Sequence, residues 1–222
     1  MSTPITANVL HNALREAEQN DECAIISRTQ HYCIIDDFID DRIIHYHLKS
    51  PTHNWFNRRV VFLPDAKLYK FYKPYIIQGL LQTDPNLLIT LRYIFIINSA
   101  ADAKKACAYV DADYAELPEQ LQYDEEDEDN IPNVLGIHWW SQSCVFINMQ
   151  AIEKTLHEME TEYTYFPYHQ EERIALLTTV LHEIRHLGLS NPYLDDTQYP
   201  TAEESETAVE RWAIAEYERI YE

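Results

Sequence analysis

The sequence predicts an α+β fold in which a small mixed sheet packs against one central helix and against a helix at the C-terminus. Three observations lead there. Residues 174–189 carry apolar side chains at helical spacing around His182-Glu-Ile-Arg-His186. Two β-branched and aromatic runs, 137–140 and 144–148, lie ahead of that helix and read as a hairpin across Ser141-Gln-Ser143. Residues 201–222 read as a long final helix, opened by the capping-box pair Thr201 and Glu204.

The other elements follow in order. Residues 7–20 suit a short polar helix, and 31–35 and 42–48 read as two strands joined by an acidic turn at 36–41. Residues 58–63 are a third strand. In 65–81, Leu68, Tyr69, Tyr72, Ile76 and Leu80 fall near helical spacing, and Pro74 must kink or divide the helix. Residues 87–97 are an apolar β-rich run suited to a strand buried on both faces, and 99–109 form an Ala-rich helix capped by Ser99. A further helix over 151–160 leads through a linker at 165–168 to the motif helix, which Asn191-Pro192 should stop near Gly188.

With 222 residues, 46% of them hydrophobic, the chain can bury one substantial core. The expected organisation is an N-terminal α/β portion (1–122), an acidic loop (123–133) and a core segment (134–222), together one compact unit. The opening residues lack the basic start and apolar run of a secretory signal, and no apolar stretch is long enough to cross a bilayer, so a cytoplasmic protein is expected, without membrane contact. Cys23, Cys33, Cys107 and Cys144 form no CxxC pair, which points to free thiols. Three glycines leave no phosphate-cradling loop. A formal charge of −20 argues against direct nucleic-acid binding and favours basic partners or plain solubility. Part of it lies in six consecutive acids, Asp124-Glu-Glu-Asp-Glu-Asp129, a self-repelling run that reads as a solvated loop.

The chemistry is concentrated in His182-Glu183-Ile184-Arg185-His186. Residues four apart share a helix face, so two imidazoles can reach one metal ion while the intervening carboxylate serves as general base. Catalytic zinc usually takes three protein ligands and a water, so a third ligand is needed. At about 100° per residue, Ala202, Val209, Trp212, Ala213, Tyr217 and Ile220 define the buried side of the last helix, with Glu206 on its edge and Glu210 beside it. A carboxylate facing a core must be paired or metal-bound. Glu206 is therefore the expected third ligand. Glu210 is the expected acceptor for a histidine N–H, or the substitute ligand. Glu203 and Glu216 are weaker candidates, Asp195 and Asp196 would serve an aspartate-type variant, and the bland alternative is an acidic surface helix whose carboxylates contact nothing.

Residues 134–222 resemble a zincin-type metallopeptidase of the gluzincin kind through Leu181-His-Glu-Ile-Arg-His-Leu187, Glu206-Thr-Ala-Val-Glu210, and the hairpin strand Val145-Phe-Ile-Asn148. No subfamily is assigned, and residues upstream match no zincin pattern. In the branch that draws its third ligand from a position six residues after the second histidine, Pro192 stands there, which disfavours that branch. In gluzincins the ligand is a glutamate on a later helix, and Glu206 follows His186 by twenty residues with Glu210 four beyond. The resemblance implies one Zn²⁺ per chain held by His182, His186 and Glu206, with Glu183 moving the proton from water to the leaving amine. It also implies an edge strand that pairs with an extended protein or peptide substrate. Tyr193, Tyr199 and His169 are available as oxyanion donors, and the sequence does not choose among them. His45 and His47 alternate along a strand, where a solvent-facing polar edge is the simpler reading than a second metal site.

A reading from another class is a non-catalytic acidic interaction protein or inhibitor, an effector of a mobile element, that masks a basic surface on its partner. Its support is the net charge and the run 124–129. The sequence does not address oligomeric state.

Overall fold

The structure is a computed structural model, described for residues 14–15, 18–21, 23–29, 32–38, 42–47, 52–122, 134–162, 168–189 and 206–222. It is a mixed α+β arrangement with two sheets. Strands β1 (Cys23–Arg28), β2 (Tyr32–Asp37) and β3 (Arg42–His47) form an antiparallel meander. After helix α1 (His53–Arg59) come β4 (Val60–Phe62), a 3-10 helix (Pro64–Tyr72), α2 (Lys73–Gln82), a second 3-10 turn (Pro85–Leu88), β5 (Tyr93–Ile97) and α3 (Ala100–Val110). Beyond residue 133 lie β6 (Gly136–Trp139), β7 (Cys144–Asn148), α4 (Met149–Glu162), α5 (Tyr168–Leu189) and α6 (Glu206–Tyr221).

The second sheet has the order β4-β5-β7-β6, with β4, β5 and β7 parallel and β6 antiparallel at one edge. Two of its strands precede residue 123 and two follow residue 133, so the segments on either side of the acidic run share one sheet. Alternation along β5 and β7 assigns their side chains to two cores. Ile94, Ile96, Val145 and Ile147 pack with Leu177, Val180, Leu181, Ile184 and Leu187 of α5 and with Ala213, Tyr217 and Ile220 of α6. Phe95, Ile97, Cys144 and Phe146 pack on the other face with Ala103, Ala106 and Val110 of α3. Covered on both faces, these strands carry uninterrupted apolar runs.

Several sequence expectations need correction. The segment 65–81 divides at Lys73, one residue before Pro74, and its first part is a 3-10 helix. The run 87–97 contains a 3-10 turn, and only Tyr93–Ile97 is strand. Arg58 and Arg59 end a helix, leaving Val60–Phe62 as strand, and β1 was not anticipated. The motif helix begins earlier than expected, at Tyr168, and ends at Leu189, near Gly188 as expected. That glycine is buried within α5, where a Cβ would come within 2.9 Å of the Leu87 Cα, so close approach of the second 3-10 turn selects it. Ser99 caps α3 as expected, accepting from the Asp102 N–H at 3.1 Å. Of the segment 7–20 only 14–15 and 18–20 are described, and the acidic run and the capping pair Thr201 and Glu204 lie outside the described residues. Among the described residues no helix is long and apolar enough to cross a membrane. All four cysteines are buried thiols outside any disulfide.

His47 is part of the packing. Its Nε2 lies 3.1 Å from the Leu91 carbonyl and its ring packs edge-on against Trp55. Burial, reinforced by Arg59, pushes it down to about 4, and burial with Arg92 does the same to His45. Because the folded value lies below the unfolded one, both states are neutral near pH 7, and only the unfolded chain takes up the proton as pH falls from the ordinary histidine range towards 4. Stability is therefore lost across that window. His47→Gln should lose about 2 kcal/mol less than wild type between neutral pH and pH near 4.5, read from urea midpoints. Equal losses would show that His47 is not kept neutral by the fold.

Candidate metal centre

Helix α5 is buried nearly all round because it lies between the sheet and α6. Leu181, Ile184 and Leu187 enter the core, and Arg185, itself buried, sets its guanidinium 5.1 Å from the Trp212 ring of α6. The remaining face presents Thr179, His182, Glu183 and His186 to a cavity of about 620 Å³. Both cavity threonines return their hydroxyls to the helix, Thr178 to the Ile174 carbonyl at 2.8 Å and Thr179 to that of Ala175 at 2.7 Å. They therefore place methyl groups and satisfied hydroxyls in the wall.

The two imidazoles converge as the four-residue spacing demands. His182 Nε2 and His186 Nε2 are 3.0 Å apart. Glu206 Oε2 lies 3.2 Å from His182 Nε2, and Glu206 Oε1 lies 3.3 Å from His186 Nε2. Ligands about 2.0–2.1 Å from a tetrahedral zinc stand roughly 3.3–3.4 Å from one another. The three groups thus direct one atom each towards a common point at nearly the separation such an ion requires. Burial pushes the His186 imidazole below its ordinary value, with Glu206 opposing and His182 adding to the shift. This favours the neutral ring, which has the lone pair a metal needs.

Glu206 is not on the edge of a buried surface. Its side chain is 80% exposed, because it is the first residue of α6 and precedes the buried stripe Val209, Ala213, Tyr217 and Ile220. It meets the imidazoles from the solvent side. Glu210, one turn on, is exposed and lines the same cavity. Glu216 does not face a free core position, since it is paired with Arg219 at 2.6 Å, away from the histidines. Tyr193, Asp195, Asp196, Tyr199 and Glu203 lie outside the described residues, as does the side chain of His169.

Glu183 is 6% exposed, and strand β6 holds it. His138 Nδ1 lies 3.5 Å from Glu183 Oε2, and the His138 ring stacks on His186 with centroids 5.3 Å apart and an interplanar angle of 18°. Gly136 lies so close that a Cβ there would be 2.7 Å from Glu183 Cγ. The sequence reading singled out neither residue, and the register of the hairpin is what brings them to the site. In the hairpin, His138 pairs with Val145 and Gly136 with Ile147, and those partners face α5. Two residues of one strand on the face opposite a motif helix are first-rank candidates for contact with it.

The hairpin also corrects the edge-strand expectation. Val145–Asn148 lies within β7, which is flanked by β5 and β6, so the strand at the sheet edge beside the cavity is β6. Set against protein-family models, curated proteins and solved structures, the chain matches none of them.

Proposed function

We propose that the chain is a zinc-dependent peptidase of the zincin type, acting on a protein or peptide substrate in the cytoplasm. The observation that carries this reading is the convergence of His182 Nε2, His186 Nε2 and a Glu206 carboxylate oxygen within 3.0–3.3 Å, with Glu183 beside them in one cavity. Donor chemistry fits the ion: two imidazoles and a carboxylate form a gluzincin ligand set and leave the cavity side open for substrate. When bound, zinc would supply a Lewis acid and make water nucleophilic at neutral pH.

The remaining work falls to the chain's own groups. Glu183, set back among Gly136, His138 and Thr179, is placed to take a proton from the attacking water and return it to the leaving nitrogen. Strand β6, antiparallel at the sheet edge and lining the cavity through Gly136, Ile137 and His138, offers backbone groups for an extended substrate. Leu135, Ile137 and Ile214 add apolar wall.

Metal analysis tests the reading. Wild type should hold about one zinc per chain, His186→Ala should lose it, and Glu206→Ala should bind it more weakly. Full zinc affinity in the Glu206 variant would remove that residue from the ligand set. Absence of stoichiometric zinc in wild type would overturn the proposal and favour the acidic-inhibitor reading, whose remaining support is the net charge and a run outside the described residues.

A further inference from the structure

The 3-10 helix Pro64–Tyr72 repeats every three residues, so side chains at i, i+3 and i+6 stand in a row along it. One row is Ala66, Tyr69 and Tyr72, all buried in the main core. The next is Lys67, Lys70 and Lys73, the last being the helix's C-cap. The third holds Asp65, Leu68 and Phe71, and its two apolar members are 63% and 58% exposed. An α-helix would step each successive lysine about 60° round the axis, whereas the 3-10 form aligns them at a repeat of about 6 Å.

The lysine row borders a second cavity, of about 350 Å³, whose other wall is β4, the edge strand farthest from β6. Arg58 and Tyr109 complete the rim, and among the described residues no carboxylate lines the cavity. That concentration is unusual in a chain with 17 Lys and Arg against 37 Asp and Glu. Among the described residues no acid stands within ion-pair distance of Arg58, Lys67, Lys70 or Lys73. Lys73 is fixed by its Nζ donating to the Asn57 carbonyl at 2.6 Å, and burial and then the neighbouring Lys70 push it below the ordinary lysine value, as expected where positive charge is uncompensated.

We propose that this row is a docking site for an extended acidic peptide segment of a substrate or partner protein, separate from the metal centre. In an extended chain, alternate side chains fall on one face about 6.6–6.8 Å apart, close to the lysine repeat of about 6 Å. The exposed Leu68 and Phe71 in the adjoining row offer apolar contact to the methylene stems of the acidic side chains. A chain of charge −20 repels long polyanions, but at physiological salt the Debye length is about 8 Å, so the local row governs a short peptide. Nucleic acid fits less well, because its charge density extends far beyond a four-cation patch.

The test is fluorescence anisotropy with the full chain and a labelled decapeptide of alternating glutamate and alanine. Saturable binding is expected, weakened several-fold between about 50 and 200 mM salt as exposed charges are screened. Binding should fall at least about tenfold in Lys67→Glu/Lys70→Glu, both exposed positions whose change leaves the core intact. A peptide of equal charge with its five glutamates contiguous should bind more weakly. Equal binding of both peptides, equal binding by the charge-reversed variant, tighter binding of an oligouridylate, or no saturable binding would each overturn the proposal. Zinc content does not enter the readout, so this site and the proposed peptidase activity stand or fall separately.

Discussion

Glu183→Gln should lower peptide hydrolysis by about 10²–10⁴-fold while zinc content stays at the wild-type level, the range that a positioned general acid–base group contributes. The substitution preserves shape. It replaces an oxygen that can take a proton by an amide nitrogen that cannot, in a side chain that is 6% exposed and held between β6 and α5. Zinc should stay because Glu183 supplies none of the three convergent atoms, which come from His182, His186 and Glu206. The two measurements separate three cases. Loss of activity with zinc retained supports the general-base role. Loss of both would give Glu183 a part in holding the ion, and unchanged activity would remove it from the chemistry. A zinc site kept only for structure would bind metal in wild type and variant alike with no hydrolysis to lose.

What the sequence revealed of this site depended on distance along the chain. His182, Glu183 and His186 lie on one helix, whose 3.6-residue period fixes their mutual placement before any tertiary contact is known. Glu206 required a guess about how a second helix docks, and the residue proved suitable for a reason other than the one expected. It reaches the imidazoles from the exposed first turn of α6, where a projection of the helix says nothing about direction along the axis. Gly136 and His138 went unnoticed because their relevance comes from β-register, and a hairpin read from composition has no register until its pairing is known. The fold shows the same gradient. The hairpin, the Ser99-capped helix and the motif helix carry local signals, whereas the 3-10 helix at Pro64–Tyr72 was read as α because Leu68, Tyr69, Tyr72, Ile76 and Leu80 satisfy a period near 3.6. The competing period of three, Ala66-Tyr69-Tyr72 inside and Lys67-Lys70-Lys73 outside, fits the same segment and is the one the structure adopts.

Gly136→Ala should lower hydrolysis by about 10²-fold, the scale on which a displacement of about 1 Å at a catalytic group is felt, with much less effect on folding. The new Cβ would stand 2.7 Å from Glu183 Cγ and from Thr179 Cγ2, and 2.9 Å from Glu183 Oε1. Overpacking of this kind costs about 1–3 kcal/mol, against which alanine returns about 0.4–1 kcal/mol by restricting the unfolded chain. The net loss of stability is therefore small, because Glu183 can relieve its share of the clash by swinging towards the cavity. That relief is what would draw its carboxylate away from His138 Nδ1. Adding Thr179→Ser deletes the second clashing methyl and leaves a hydroxyl able to reach the Ala175 carbonyl. The double variant should regain thermal stability without regaining activity, since the carboxylate remains displaced. Recovery of both together would mean that Gly136 serves the packing of β6 on α5 rather than the placement of Glu183.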